Sequence, residues 1–430
     1  MSPSSGHYRW LICILLFFAT TINYVDRQIL SLIKPILDEK IGWTNEQFGW
    51  VNSAFQAAYA ISLLGFGWLI DRYGTKIGYA VSIASWSVAA MAHAAVHSLS
   101  GFFGVRVFLG LGEGGNFPAA IKAVATWFPK RERALATSLF NSGSNVGAML
   151  APAIVPWLAL TYGWQSPFVI AGLAGFVWLL FWIPLYGNPA NSKRVNAGEQ
   201  AWITQDEAAA GAPADTAKIP WKSLLRYRQT WGYIAARFLT DPVWWFFLIW
   251  LPDYFKKTRH LDIKNSWVHL VTIYAIVTVL SIFGGWVTGH LTGRGWTVTR
   301  ARKTCMLIFA FAVVPIAFAT HCGDWTAVVV IGLAGAAHQA WSANLFSTVS
   351  DMFPNRAVAS MVGLGGMAGS VGGILFPVVS GRLLDHFQAA GNITLGYGML
   401  FGFCGGAYLL AFIINHLLTP RFEPVKLIEN

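Results

Sequence analysis

The sequence predicts an all-α integral membrane protein with twelve spanning helices in two bundles of six. Three observations carry that expectation. Of the 430 residues 55% are hydrophobic and 11% charged, whereas soluble chains carry about a quarter charged residues, and the mean hydropathy is +0.51. Apolar runs such as Trp10 to Leu32, Trp50 to Ile70, Ile77 to Val96 and Leu395 to Leu418 approach or exceed the ~20 residues that cross a bilayer core. Such runs recur along the whole chain, six before and six after one long polar stretch.

In chain order, helices are expected near 8–33, 48–70, 76–97, 100–128, 133–160, 166–187, 229–256, 266–291, 303–320, 325–352, 357–386 and 394–418. The first run has the look of a signal-peptide core. It is longer than one, lacks a small-residue cleavage site and carries Asn23, Asp26 and Arg27 near its far end, so it is expected to stay as a helix. Domain boundaries follow: an N-terminal bundle over 1–187, a cytoplasmic linker over 188–228 and a C-terminal bundle over 229–430 with a short cytoplasmic tail. The linker is polar and holds an AAAGAPAD run and Pro220. Two halves joined this way suit a chain built from an internal repeat.

A worn copy of that repeat is visible. Gly67-Trp-Leu-Ile-Asp71-Arg72-Tyr-Gly74-Thr-Lys76 stands between the second and third helices, and Gly285-Trp-Val-Thr-Gly289-His-Leu-Thr-Gly293-Arg294 between the eighth and ninth. Gly67 and Gly74 are expected to let backbones approach, while Asp71, with Arg72 and Lys76 beside it, caps or pairs with a neighbouring helix end as a conformational latch. Gly289 stands where the first copy has Asp71, so the latch is asymmetric.

A net charge of +11 raises nucleic-acid binding, but the basic residues punctuate the apolar runs. Arg72 with Lys76, Lys130 with Arg131 and Arg133, the stretch Lys193 to Arg228, and Arg294 with Arg300, Arg302 and Lys303 all fall on one side if the amino terminus is cytoplasmic. That is the positive-inside pattern, and it places both termini in the cytoplasm and the protein in the lipid bilayer without nucleic acid. Lys256, Lys257, Arg259 and Lys264 break the pattern, either as headgroup contacts or as an electropositive mouth. Cys13, Cys305, Cys322 and Cys404 have no metal-ligand spacing, and no metal or cofactor is expected. Without HExxH, a Cys/His set or a catalytic serine motif, the chain does not read as an enzyme. The paired halves argue against a channel or receptor.

Ionisable groups inside a span cost several kcal/mol by most estimates, so each is a functional candidate. Asp26 and Arg27 are adjacent in the first helix. Arg106 and Glu113 in the fourth are two turns apart, on one face and about 10 Å apart along the axis, among Gly110, Gly112, Gly114 and Gly115. Arginine offers a permanently charged fork for a carboxylate, which assigns Arg27 and Arg106 to an anionic substrate. Asp26 and Glu113 can exchange protons: an anion arriving at the arginine weakens its pair with the acid and so couples the two. The alternative is a pair of static ion pairs fixing helix packing. Tyr24, Asn23, Tyr59, Asn141 and Asn145, and in the second half His338, Gln339, Ser342 and Asn344, offer donors and acceptors to hydroxyls. A lone helical histidine is more often an interhelical hydrogen-bonding group. In the seventh helix, Arg237 and Asp241 stand at i, i+4, and Pro242 is expected to bend or break the helix. Trp244 or Trp245 offers an apolar face to a sugar ring, against a background of 21 tryptophans that mostly serve belts and packing. Gly143 to Gly147 and the GLGGMAGSVGG run at 363–373 read as close-packing faces, not phosphate loops. One Asn392-Ile-Thr394 sequon carries little weight.

Here the chain resembles a known group. GWLIDRYGTK matches the loop signature of the major facilitator superfamily, and Arg106-Val-Phe-Leu-Gly110-Leu-Gly112 its fourth-helix pattern R-x-x-x-G-x-G. More narrowly, NYVDR at 23–27, GTKIGYA at 74–80, NFPAAIKAVATWFP at 116–129, RFLTDPVW at 237–244 and AHQAWSAN at 337–344 resemble the anion:cation symporter family, nearest to bacterial hexuronate and sugar-acid transporters. The resemblance implies a major facilitator fold around a central cavity and proton-coupled import of a sugar-acid anion, hexuronate first, into a bacterium through its inner membrane. It implies Asp26 and Glu113 as proton sites and Arg27 and Arg106 as anion sites, with Tyr59 and Asn141 in the pocket. Tyr24, His338, Gln339, Asn344, Arg237 and Trp245 complete the candidate substrate contacts of a protein expected to be a monomer. Some hexuronate members lack the acid of the first helix. Galactonate, glucarate, sialic acid, aromatic acids and glutamate are the alternative substrates.

Overall fold

The computed structural model describes residues 6–208 and 221–425; the side chain of Asp71, much of the AAAGAPAD run, Pro220 and the last five residues of the tail lie outside the described residues. The described chain is helical, without a strand. Eleven of its helices are long and apolar enough to cross a membrane. The first is α1 (Tyr8–Leu32), followed by the short α2 (Lys34–Ile41), α3 (Asn45–Tyr73) and α4 (Thr75–Ala92). The expected fourth span is two helices, α5 (Leu99–Glu113) and α6 (Asn116–Trp127), and then come α7 (Lys130–Tyr162) and α8 (Ser166–Leu185). The polar stretch contributes α9 (Ala197–Ala208) and α10 (Trp221–Leu224). The second half holds α11 (Arg228–Arg259), α12 (Ile263–Gly293), α13 (Val298–Val313), α14 (Asp324–Met352), α15 (Asn355–Ala389) and α16 (Ile393–Leu418). A 3-10 stretch at Val314–His321 prolongs α13, where Pro315 removes one backbone donor.

Two compact units emerge: Met1–Trp43 with Ala54–Ala214, and Thr44–Ser53 with Asp215–Asn430. In the first, α1 lies along α7. Small residues set that approach: a Cβ added at Gly143 would lie 2.4 Å from the Phe17 carbonyl oxygen, and one at Gly147 2.5 Å from that of Thr21. Buried Trp86, Trp127, Trp178 and Trp182 fill the core, and their indole N–H groups are used where a carbonyl is in reach. Trp178 donates to the Leu15 carbonyl at 2.8 Å and Trp182 to that of Lys76 at 3.1 Å, which avoids the cost of a buried unmet donor.

The polar stretch is not a plain tether. Glu199 of α9 is 1% exposed and accepts from the backbone N–H groups of Tyr8 and Arg9 at 3.2 and 3.0 Å. It therefore caps α1, whose own N-cap residue, His7, supplies no side-chain bond. Arg9 completes the contact by pairing with Glu132 at 2.9 Å and Glu199 at 3.3 Å.

Two expectations change in the second unit. α11 runs unbroken from Arg228 to Arg259 with Pro242 and Pro252 inside it, so of the bend or break expected at Pro242 the break does not occur; α15 and α16 pack along the helix. The basic cluster in the last turn of α11 is partly spent on structure. Lys257 pairs with Asp253 at 3.2 Å and donates to Asn45 at 2.9 Å, and Arg259 donates to the Ala319 carbonyl and pairs with Asp324 at 3.6 Å.

Candidate functional site

The break in the fourth span sits one residue beyond Glu113. Gly114 and Gly115 separate α5 from α6, and the carbonyls freed there are met by serines of neighbouring helices. Ser62 of α3 donates to the Leu111 carbonyl and Ser82 of α4 to that of Gly112 at 2.6 Å. Side chains would not fit: a Cβ at Gly112 would lie 2.6 Å from the Trp86 backbone nitrogen, and one at Gly110 2.4 Å from the Phe55 carbonyl oxygen. The glycines bring α5 against α3 and α4, and so carry Arg106 and Glu113 to α1.

Glu113 is the last residue of α5, at the negative end of the helix dipole, and is 0% exposed. An anion there is unfavourable unless compensated. The compensation comes from Arg27 of α1, whose Nε lies 2.6 Å from Glu113 Oε2. The guanidinium of Arg27 is surrounded by the rings of Tyr59, Tyr24 and Phe55, with centroids at 4.6, 5.1 and 5.5 Å, which favour a cation electrostatically. Neighbouring residues on a helix point about 100° apart, so Asp26 does not share this arrangement. Asp26 is 2% exposed and neither oxygen has a hydrogen-bond partner.

Arg106, 1% exposed, is equally isolated in the opposite sense. Its contacts are a 3.5 Å approach of Nη2 to the Arg27 carbonyl and the Phe55 ring at 5.5 Å; its Nε has no partner. Among the described residues, no carboxylate lies within ion-pair distance of it. Where α1 meets α5, the described residues thus form one closed ion pair, one buried acid without a hydrogen-bond donor and one buried guanidinium without a carboxylate at ion-pair distance. Such a set can accept an anion and exchange protons, because a proton taken up by Glu113 leaves the Arg27 guanidinium uncompensated.

The other candidates fall in several places. Tyr24 and Tyr59 stand at the Arg27 guanidinium, while Asn141 of α7 is exposed. In the second unit His338 bonds to the Tyr408 hydroxyl and stacks on Trp244 with centroids 5.4 Å apart, the interhelical alternative raised by its being a lone histidine. Asn344 is also taken up between helices: it accepts from Thr288 at 2.8 Å and donates to the Ala340 carbonyl at 2.9 Å. Gln339 is half-buried. Arg237 pairs with Asp241 at 2.8 Å.

The glycine run of α15 receives α11. An added Cβ would meet the Tyr233 ring at Gly365, the Asp241 carboxylate at Gly369, Pro242 at Gly372 and the Trp245 ring at Gly373. In the latch motif Gly74 has φ +85°, a left-handed turn between α3 and α4 that favours glycine. The close approach expected at Gly67 is absent, since a Cβ there would meet nothing within 4 Å. Arg72 lies over Trp68 and Tyr73 at 5.4 and 5.7 Å, and the Lys76 carbonyl receives Trp182. Lys122 of α6, not singled out in the sequence, donates to the Ile70 carbonyl at 3.1 Å at the end of α3.

Residues 16–377 match the Major Facilitator Superfamily. The chain is 31% identical over 401 residues to the hexuronate transporter of Escherichia coli K12, covering 91% of this chain and 90% of that one. It is 28% identical over 394 residues to a D-galactonate transporter of Escherichia coli O6:H1, covering 90% and 91%. Its fold is similar to the crystal structure of a bacterial homologue of the human lysosomal transporter Spinster, with a TM-score of 0.76 at 15% identity over 97% of this chain and 98% of that one.

Proposed function

The chain belongs to the major facilitator superfamily, and we propose that within it this protein is a proton-coupled symporter importing a hexuronate, glucuronate or galacturonate, by alternating access. It is a multi-pass membrane transporter rather than an enzyme. The observation that carries the proposal is the charge inventory of the first unit: Arg27 closed on Glu113 at 2.6 Å, and Arg106 and Asp26 each buried without a counterpart.

In this reading the substrate carboxylate binds first at Arg106, the guanidinium with no carboxylate to displace. A planar fork matches a carboxylate with two parallel bonds. The anion then competes with Glu113 for Arg27, and a Glu113 carboxylate that loses its cation in a buried site is stabilised by taking a proton. Asp26, with no donor of its own, is the second proton carrier. Tyr24 and Tyr59 line the Arg27 end, and Asn141, Gln339, Asn344, His338, Arg237 and Trp245 are the further substrate contacts proposed. Gly67, Asp71, Arg72, Gly74 and Lys76 form the proposed latch. A monoanion moving with one proton is electroneutral, and a second proton adds roughly 2.3 kcal/mol of inward drive per 100 mV. The orientation that goes with import, in a bacterial inner membrane, has both termini cytoplasmic, as the basic loops require.

A hexuronate is favoured by the identity and coverage of the hexuronate transporter match; the galactonate transporter match supports galactonate as the second reading. The test is uptake of radiolabelled glucuronate and galacturonate into proteoliposomes, with and without an inward proton gradient, and with galactonate, glucarate, sialate and glutamate as competitors. Gradient-dependent accumulation blocked by hexuronates is the expected outcome. If hexuronates neither enter nor compete, the substrate assignment falls and the effective competitor replaces it.

A further inference from the structure

The second unit contains a buried charge pair that the mechanism above does not use as a proton site. Arg237 and Asp241 lie one turn apart on α11, within a membrane span, with Nη2 and Oδ2 2.8 Å apart and side chains 12% and 13% exposed. An intrahelical pair at this spacing stabilises a helix only slightly, whereas ionisable groups in a span are costly. Packing alone gives little reason for the pair.

Its two members are held differently. Arg237 has other supports: Nη1 donates to Ser342 Oγ of α14 at 3.3 Å, and the guanidinium lies 4.4 Å from the centroid of the Phe346 ring. Its Nε has no partner, and neither has the hydroxyl of Tyr233, one turn earlier on α11. Asp241 has only Arg237 among the described cations. Its Oδ2 rests against α15 at Gly369, where an added Cβ would come within 1.9 Å of it. The carboxylate is therefore the member whose charge can be removed without unseating the other. Removing it changes a contact between α11 and α15.

We propose that the Arg237–Asp241 pair is a further proton-exchange site, in which Asp241 takes up a proton during the transport cycle while Arg237 stays held by Ser342 and Phe346. The inference rests on the proton-coupled reading and deepens it. In the balanced step, one proton adds to the Asp241 carboxylate, its ion pair with Arg237 opens, and Arg237 keeps its positive charge with donors exposed. Among the described residues, the titratable groups that interact with the pair are Tyr233 on α11, His338 on α14 and Tyr408 on α16. Tyr274 of α12 packs on Trp244, and α15 presents Gly369 to the Asp241 carboxylate. No second carboxylate or lysine among the described residues shares the site.

The experiment counts protons taken up or released per anion bound when D-glucuronate or D-galactonate is added to the purified full-length protein in weak buffer, for wild type, D241N and E113Q. The difference infrared spectrum evoked by the same anions is recorded in proteoliposomes. We expect D241N to lose one proton from the cycle's count and a protonated-carboxyl band from the spectrum. A D241N count and spectrum matching wild type overturn the proposal. Should D241N fail to fold, D241E keeps an acid at the site and is expected to move that band; a band unmoved in D241E overturns it equally. Failure of the underlying reading looks different, because wild type itself would then exchange no protons with either anion.

Discussion

At the scale of single residues, Arg27 and Arg106 are not equivalent. Arg27 is already paired with Glu113 and enclosed by three rings, whereas Arg106 makes a long contact to a carbonyl and lies over the Phe55 ring, without a carboxylate at ion-pair distance among the described residues. Truncating one partner of a buried charge-assisted contact costs about 2–5 kcal/mol, and at about 1.4 kcal/mol per tenfold R106A should weaken binding of labelled glucuronate by roughly thirtyfold or more. R106K keeps the charge without the fork and should lie between the two, measured by the same equilibrium binding. E113Q separates the two duties proposed for the acid. It should still bind and exchange substrate across the membrane but fail to accumulate it against a gradient, and normal uphill uptake by E113Q would remove Glu113 from the coupling. The sequence identified these ionisable residues from their cost in a span. It did not reveal which acid pairs with which arginine, because adjacent positions such as Asp26 and Arg27 point in different directions and partners arrive from helices about eighty residues away.

At the scale of elements, glycine acts through contact at some positions and through conformation at others. Gly110 and Gly112 seat α5 against the backbones of α3 and α4. Overpacking such a site costs typically 1–3 kcal/mol, so G110A and G112A should each lower the melting temperature of the detergent-solubilised protein by several degrees and impair binding by shifting Arg106. G67A, with nothing within 4 Å of its added Cβ, should leave the melting temperature nearly unchanged in this conformation. G74A should be costly despite open space, because of its φ of +85°. Equal effects of G67A and G112A would contradict the packing account. Pro242, the expected breaker, sits inside continuous α11, and the actual interruption falls at Gly114 and Gly115, where Ser62 and Ser82 take up carbonyls at the break. Helix propensity alone does not say where neighbouring side chains will accept an interruption.

At the scale of the whole molecule, the alternation of spans makes a prediction from native residues. With the amino terminus cytoplasmic, Cys322, half-exposed just before α14, lies on the outer side, while Cys13, Cys305 and Cys404 are buried in helices. A membrane-impermeant maleimide applied to intact cells should label the wild-type protein once, at Cys322, and C322S should abolish that labelling. Labelling only after the membrane is opened would invert the proposed topology. The sequence by itself determined the membrane class, the positions of the spans and the residues able to carry charge, because lipid demands long apolar helices and makes each ionisable group within them conspicuous. The tertiary structure alone decided that Glu113 closes on Arg27, that Asp26 stands without a hydrogen-bond donor and Arg106 without a carboxylate at ion-pair distance among the described residues, that Glu199 caps α1, and that the α15 glycines receive Asp241 and Trp245. Those outcomes depend on which faces of distant helices meet, a matter of side-chain volume and direction in three dimensions that no local pattern encodes.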